Sequence, residues 1–268
     1  MPVSISAEVS PQMREYERFN TVCANAYVRP VIARYLTNLA AALDERGATT
    51  PLRLMHSGGG LIDLATAEEF PVRLLESGPA GGAVYAADLA ARLGRDKVVA
   101  FDMGGTTAKI TIIEGGQPRS SRTFEVARTS RFKKGSGTPI SIPVVEMIEI
   151  GAGGGSIATI DRLGRIAVGP RSAGSEPVPA AYGLGGTEAT VSDADLLLGR
   201  LDPDAFGGDT IRLSPRRAAA AVDQAIGAPM HLDTDAAARG SPRWSTSTWP
   251  TPSGPTRWRA ATICTGSR

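Results

Sequence analysis

The chain has 268 residues, 42% of them hydrophobic, which is enough to bury the core of one large domain or of two small ones. Its 29 basic and 27 acidic residues leave a net charge of +2, so the composition does not indicate a nucleic-acid-binding protein. Two cysteines are too few for a disulfide framework, and no apolar run reaches the roughly 18 residues of a membrane helix. With no signal-peptide pattern at the start, these features predict a cytoplasmic protein that binds neither nucleic acid nor membrane.

The first part of the sequence predicts helices that alternate with short strands. Pro30 suits the first position of a helix, and Cys23 is expected to pack inside a helical stretch. His56, beside Ser57, is a candidate base or ligand, although a lone histidine is more often structural. In chain order, the pattern predicts a helix over 11–47, strands over 52–55 and 72–75, a packed glycine turn over 77–82 and a helix over 83–93.

The second part predicts mainly strands, followed by two helices. Ser192 is the expected cap of the first helix, and Ser214 with Pro215 begins the second. This mixed order predicts an α/β or α+β fold. The predicted strands cover 97–102, 108–113, 122–127, 140–150, 156–161 and 166–168, and the predicted helices cover 193–200 and 215–226.

The turn between the strands 97–102 and 108–113 is the strongest candidate site. Asp102 ends a buried strand, where its carboxylate can hold a divalent cation directly or through water. Glycines let backbone N–H groups approach phosphate oxygens, and threonine hydroxyls add donors. The predicted ligands of phosphate are therefore Gly104, Gly105, Thr106 and Thr107. The alternative is an ordinary hairpin tip, in which paired glycines are common.

A second glycine-rich segment, residues 151–156, has the spacing of a dinucleotide-binding turn. Ser156 occupies the last position of that motif, and the residues after it predict a strand rather than a helix, so we reject the dinucleotide interpretation. Two alternatives remain: close approach to a nucleotide, or tight backbone packing. The residues concerned are Gly153, Gly154, Gly155 and Ser156.

Composition changes after residue 230, and we predict a domain over 1–230 and an aberrant tail over 231–268. The tail contains all three tryptophans, and its prolines argue against regular structure from Ser241 onward. One back-translation of residues 244–251, shifted by one base, encodes a plausible apolar segment. The hypothesis is a frameshift near Gly240, and a naturally disordered tail is the alternative.

Together, the motifs resemble the hydantoinase A and oxoprolinase family, which includes N-methylhydantoinase, 5-oxoprolinase and the beta subunits of acetone carboxylases. The resemblance extends from about residue 9 to about residue 238 and depends on many blocks in the family's order. These blocks are residues 14–18, 25–27, 55–59, 76–81, 102–106, 150–158, 168–174, 182–186 and 191–194.

This resemblance implies the actin-like ATPase fold, in which two ribonuclease-H-like halves close over a nucleotide. Family members use ATP and Mg²⁺ to phosphorylate a cyclic amide or imide and thereby open the ring. Asp102 would be the catalytic residue and metal ligand, residues 104–107 would bind the phosphates, and residues 153–156 would bind the other end of the nucleotide. A hydantoinase B-type partner subunit or a homo-oligomer is also implied.

Departures from the family pattern lead us to expect an incomplete second half of the two-lobed fold, inactive by itself. Family members usually carry an earlier half with its own acidic glycine hairpin. Lys109 stands where the family has a second carboxylate. Either this residue is typical of a different subgroup or ligand, or its charge neutralises phosphate directly. The expected function is that of a fragment of an ATP-dependent cyclic amidohydrolase. The alternatives are an ATP-dependent carboxylase subunit and a non-catalytic nucleotide-binding module.

Overall fold

The computed structural model describes residues 2–127, 129, 135–207 and 211–247, the last seven by their backbone only. The chain divides into two compact units. The first unit contains residues 2–100 and 111–147, and the second contains residues 101–110 and the described chain from 148 onward. In these described ranges, every helix is too short or too polar to cross a membrane.

Helices and strands are mixed along the chain, as the sequence predicts. The helices are α1 (Ser6–Val9), α2 (Glu15–Glu45), α3 (Leu64–Glu69), α4 (Ser77–Arg92), α5 (Val191–Leu197), α6 (Pro215–Val222), α7 (Ala228–Met230) and α8 (Thr234–Ser247). The strands are β1 (Arg53–Met55), β2 (Leu61–Asp63), β3 (Lys97–Met103), β4 (Ala108–Glu114), β5 (Gln117–Pro118), β6 (Ser120–Ser121), β7 (Phe124–Val126), β8 (Thr138–Ile140), β9 (Val144–Val145), β10 (Ile148–Ile150), β11 (Ser156–Ile160) and β12 (Ile166–Ser172).

The predicted helix over 11–47 is present as α2, a helix of 31 residues. Pro30 lies inside α2, so the prediction that it begins a helix is wrong. A proline removes a single hydrogen bond from the interior of a helix, and packing of the helix face against the rest of the first unit compensates for that loss. Asn25 contributes to this packing, because its amide donates to the Glu69 carbonyl at 3.0 Å and accepts from Val72 N–H at 3.2 Å.

The predicted strand over 72–75 is wrong, because Pro71–Leu74 forms a 3₁₀ turn. The predicted glycine turn over 77–82 is also wrong, because these residues form the first turns of α4. Small residues are needed there for packing rather than for a loop: Ala80 and Ala83 are buried against Val145. The expectation that this segment packs closely therefore agrees with the structure.

The strands form one four-stranded sheet and several two-stranded sheets. In the largest sheet β10, β4 and β3 are neighbours in that order, and β5 pairs with β4 in the antiparallel direction. β10 is antiparallel to β4, with Ile150 opposite Ala108. The single strand predicted over 140–150 is divided among β8, β9 and β10, since Pro143 cannot donate a hydrogen bond to a ladder.

The core of the second unit lies between the β11–β12 hairpin and helices α5, α6 and α8. β11 and β12 are antiparallel, with Ala158 opposite Val168, as the predicted hairpin requires. Ser214 caps α6 by accepting from Arg217 N–H, and Pro215 occupies its first turn, which confirms the predicted start of this helix.

Helix α8 covers the beginning of the predicted tail. Asp233 accepts a hydrogen bond from Ala236 N–H at 2.7 Å, and Ala237 and Ala238 are fully buried. The prediction of irregular chain from Ser241 is wrong as far as Ser247, because a capped and packed helix tolerates the one bond that Pro242 removes. Residues 248–268 lie outside the described chain, so the domain boundary at 231 and the frameshift near Gly240 stay predictions.

Candidate functional site

The candidate site is the turn between β3 and β4, in the second unit. At the end of β3, Phe101 and Met103 pack in a small apolar cluster with Ala108 and Ile150. Successive side chains of a strand face opposite sides, so Asp102 points away from this cluster, and it is exposed. The apolar residues on either side therefore fix the strand and leave the carboxylate accessible.

The turn itself offers free backbone donors. Gly104 N–H donates to the Thr107 carbonyl at 2.9 Å and closes the turn. Among the described residues, the N–H groups of Gly105, Thr106 and Thr107 find no acceptor. Because consecutive free N–H groups in a turn attract anions, this turn has the chemistry of an anion site beside an exposed carboxylate.

The glycine segment predicted to face the turn contacts it directly. Gly154 N–H donates to the Gly104 carbonyl at 2.9 Å, and Gly155 N–H donates to the Gly105 carbonyl at 2.6 Å. Gly153 N–H donates to the Ser156 hydroxyl at 2.9 Å, and Ser156 N–H donates to the Gly153 carbonyl at 3.0 Å. The four N–H groups of this segment, which we call the glycine strip (residues 153–156), therefore already have acceptors.

The strip supports the turn through backbone hydrogen bonds. This contact agrees with tight backbone packing, one of the two alternatives that the sequence leaves open for these glycines. An added Cβ at Gly153 would lie 2.7 Å from the Gly104 and Gly105 carbonyl oxygens, so only glycine fits there. Contact between the strip and a nucleotide stays a prediction, and it would have to use atoms other than these N–H groups.

Helix α5 holds the strip from its other side. Ser192 N–H donates to the Gly154 carbonyl at 2.8 Å. The predicted cap of α5, Ser192, is wrong: Thr190 is the cap, in a reciprocal capping box with Asp193. The spacing of Thr190 and Asp193 is a sequence signal of such a box. The sequence favours Ser192 instead because it immediately precedes the predicted helix.

Asp193 is a fully buried carboxylate that the sequence analysis did not single out. One oxygen accepts from Ala181 N–H at 2.6 Å, and the other accepts from the N–H and hydroxyl of Thr190 at 2.8 and 2.7 Å. Burial raises the pKa of Asp193, and these hydrogen bonds oppose that rise. The carboxylate joins the 180–182 segment to the start of α5, and α5 in turn positions the strip and the turn.

The acidic ligands near the turn are few. In the described residues, no three His, Cys, Asp or Glu side chains come together as a metal-binding group. Lys109 lies opposite Glu149 in the β4–β10 register, where opposite charges attract. A metal at the turn would therefore need ligands besides these side chains, such as phosphate and water.

His56 and Ser57, in the first unit, do not form a catalytic pair. Ser57 is fully buried, and its hydroxyl donates to the Pro143 carbonyl at 2.6 Å. Gly58 N–H donates to His56 Nδ1 at 3.0 Å, so this nitrogen must be unprotonated. Burial and, to a smaller extent, the nearby Arg73 charge lower the pKa of His56. The neutral imidazole of His56 therefore orders the glycine loop by accepting this hydrogen bond.

Acidification from about pH 7 to about pH 5 is expected to destabilise the wild-type chain more than a His56→Asn variant. Because the folded pKa of His56 is lowered, the unfolded chain binds the proton first. The stability contributed by the neutral ring is therefore complete above the unfolded pKa near 6.5 and is lost as the pH falls toward the folded pKa. Urea midpoints at both pH values measure the difference. The exposed His231→Asn variant is the control, and an equal pH dependence in wild type and His56→Asn would contradict the expectation.

The fold and the site define a mixed α/β protein with an acidic glycine turn supported by a second glycine segment. The sequence profile of the hydantoinase/oxoprolinase family matches residues 18–248. The chain belongs to the hydantoinase/oxoprolinase family, as the motif resemblance predicts.

Two relatives and one solved structure illustrate the similarity. Caprolactamase subunit alpha of Pseudomonas jessenii is 40% identical over 233 residues, which are 87% of this chain and 32% of that protein. The 5-oxoprolinase of Saccharomyces cerevisiae is 36% identical over 205 residues, 76% of this chain and 15% of that protein. A nucleotide-free structure of acetone carboxylase, from work on ATP-dependent acetone carboxylation, matches with a TM-score of 0.70 at 31% identity, over 88% of this chain and 32% of that one. The chain thus spans a third or less of each of these proteins.

Proposed function

We propose that this chain is the nucleotide-binding part of an ATP-dependent enzyme that opens cyclic amides of the hydantoin or 5-oxoproline type. The observation that carries the proposal is the turn after Asp102, where an exposed carboxylate adjoins free N–H groups at Gly105, Thr106 and Thr107. An anionic ligand with a bound cation matches these two features together. ATP with Mg²⁺ has that chemistry, and the similarity to a protein of ATP-dependent acetone carboxylation favours ATP as the anion.

The residues fit a magnesium nucleotide better than a metal bound by protein alone. Mg²⁺ keeps several waters and is typically held by one or two carboxylates together with substrate phosphates. When bound, ATP supplies the phosphoryl group that makes an amide oxygen a leaving group, and Mg²⁺ balances the phosphate charge. Asp102 would hold the cation, while the turn N–H groups and the Thr106 and Thr107 hydroxyls would orient the phosphates.

The glycine strip and α5 have a positioning role in this proposal. The strip holds the two carbonyls of Gly104 and Gly105, so the N–H groups of the turn keep a fixed direction without reorganising when phosphate binds. We further propose that the fold is the actin-like, ribonuclease-H-like one, and that a partner subunit of hydantoinase B type or a homo-oligomer completes the enzyme. The relation to a caprolactamase subunit favours such an assembly.

A carboxylase subunit is the second candidate function. The similarity to the acetone carboxylase structure, with a TM-score of 0.70, favours it. Acetone carboxylation and caprolactam hydrolysis are both ATP-dependent in these relatives, so the same nucleotide-binding turn would serve in either. The substrates differ, and comparison of hydantoin, 5-oxoproline and ketone turnover by the complete enzyme would distinguish them.

Titration of the chain with Mg-ATP tests the proposed site. Wild type is expected to bind, and Asp102→Ala is expected to weaken binding at least about tenfold because the cation loses its protein ligand. Isothermal titration calorimetry measures both affinities. Asp204→Ala removes another exposed carboxylate of the second unit and is expected to leave the affinity unchanged. Equal binding by wild type and Asp102→Ala would remove Asp102 from the site.

A further inference from the structure

Helix α2 carries an exposed apolar stripe along the side opposite to its packed face. The stripe consists of Tyr16, Phe19, Cys23, Tyr27, Val31 and Tyr35. These positions are three or four residues apart, so they share one side of the helix over about 28 Å. Cys23, which the sequence analysis expected to be packed, is exposed as part of this stripe.

The stripe is too large and too aromatic to be an ordinary exposed surface. Tyr27 is 83% exposed, and the other aromatic residues of the stripe are between 51% and 66% exposed. The opposite face is already occupied, since Thr21, Asn25 and Leu36 are buried in the first unit. Because that face is already packed, burial within the first unit does not account for the aromatic stripe, and an exposed apolar surface of this length indicates a partner surface.

We propose that the stripe is the contact surface for a second copy of this chain, whose α2 packs against it in the antiparallel direction. Placing residue 25 opposite residue 25 of the second copy brings Phe19 opposite Val31 and Cys23 opposite Tyr27. A two-fold axis makes each contact occur twice, so one self-complementary stripe suffices for the whole interface.

The charges at the ends of the stripe favour this arrangement over a different occupant. Two exposed charged residues flank the stripe: Glu15 precedes its first residue, Tyr16, and Arg34 precedes its last residue, Tyr35. In the antiparallel pair, Arg34 lies over Tyr16 of the second copy, next to Glu15. Each end of the interface then gains a cation over an aromatic ring and an opposite charge nearby, and the middle stays uncharged.

The exposed area is also sufficient for a dimer. Aromatic side chains have about 150–250 Å² each, so the exposed fractions of the four aromatic residues and Val31 amount to roughly 600 Å² per copy. Two copies would bury about 1,200 Å², which reaches the size range of stable protein interfaces. The stripe is therefore large enough for a specific dimer without other contacts.

Sedimentation equilibrium of the 268-residue chain tests the proposal. Wild type is expected to be a dimer, and Tyr27→Glu is expected to raise its dissociation constant at least about thirtyfold, because it places charges at the centre of the interface. Tyr85→Glu is the matched control, since Tyr85 is 59% exposed on α4, away from the stripe. A monomeric or openly aggregating wild type, or a Tyr27→Glu variant that dimerises as wild type does, would overturn the proposal.

A charge exchange keeps the test decisive if Tyr27→Glu does not fold. Arg34→Glu is expected to weaken dimerisation by placing like charges together, and Arg34→Glu combined with Glu15→Arg is expected to restore it. Both positions are exposed, so circular dichroism should show unchanged helix content. Failure of the double variant to recover at least part of the lost affinity would show that the two copies do not pair in this antiparallel register.

Discussion

Replacing Asp193 by alanine is expected to destabilise the chain by about 3–5 kcal/mol, the largest single effect we predict. The carboxylate accepts hydrogen bonds from Ala181 N–H and from the N–H and hydroxyl of Thr190, and all of these groups are buried. Each donor left without an acceptor costs about 1–3 kcal/mol, and the missing side chain adds a cavity. Urea unfolding followed by far-UV circular dichroism measures the loss.

Asp195→Ala provides the matched control on the same helix. Asp195 forms an ion pair with Arg200 at 2.8 Å, but the arginine side chain is exposed, so its loss is expected to cost at most about 1 kcal/mol. Asp193→Asn should cost less than Asp193→Ala, because one acceptor oxygen remains. Similar unfolding midpoints for Asp193→Ala and Asp195→Ala would show that the buried carboxylate does not hold α5 in place.

Gly153→Ala is expected to destabilise the second unit by about 2–3 kcal/mol and to weaken Mg-ATP binding. The added methyl group would lie 2.7 Å from the Gly104 and Gly105 carbonyl oxygens, which belong to backbone that cannot move independently. The strip and turn must separate, which strains both and weakens the Gly154 and Gly155 hydrogen bonds to the turn. Urea unfolding and nucleotide titration measure the two losses.

Gly105→Ala separates binding from stability. A Cβ at Gly105 meets no atom within 4 Å, so this variant is expected to keep or slightly raise the unfolding free energy. In the proposed site, phosphate approaches the free N–H groups of this turn, and a methyl group at Gly105 would obstruct that approach, so binding should weaken. A Gly105→Ala variant that is destabilised as much as Gly153→Ala would contradict the difference in packing at these two glycines.

The sequence predicts the turn well because its signals are local. The apolar and β-branched residues of β3 and β4 identify both strands, and the glycine pair between them identifies the turn. The exposure of Asp102 follows from the two-residue period of a strand. By contrast, the sequence could not decide how the glycine strip is used, because the same glycines permit either a close ligand or a close backbone.

Several elements differ from the local sequence pattern because packing with distant residues decides their structure. Proline begins helices more often than it occurs inside them. Pro30 nevertheless lies inside α2, because packing of this helix against the first unit compensates for the lost hydrogen bond. The glycines of 77–82 resemble a turn, yet Ala80 and Ala83 pack against Val145, a residue more than sixty positions later, and a helix results. Local preferences of this kind differ by about 1–3 kcal/mol, which tertiary contacts can exceed.

The sequence by itself determined the family, the mixed fold class and the position of the acidic glycine turn, because each depends on the order and spacing of residues close together in the chain. Only the tertiary structure decided that the glycine strip forms hydrogen bonds with the turn and that Asp193 fixes the start of α5. It also decided that the aromatic side of α2 is exposed. Those facts depend on which distant groups share hydrogen bonds and buried surface, and residue spacing does not contain that information.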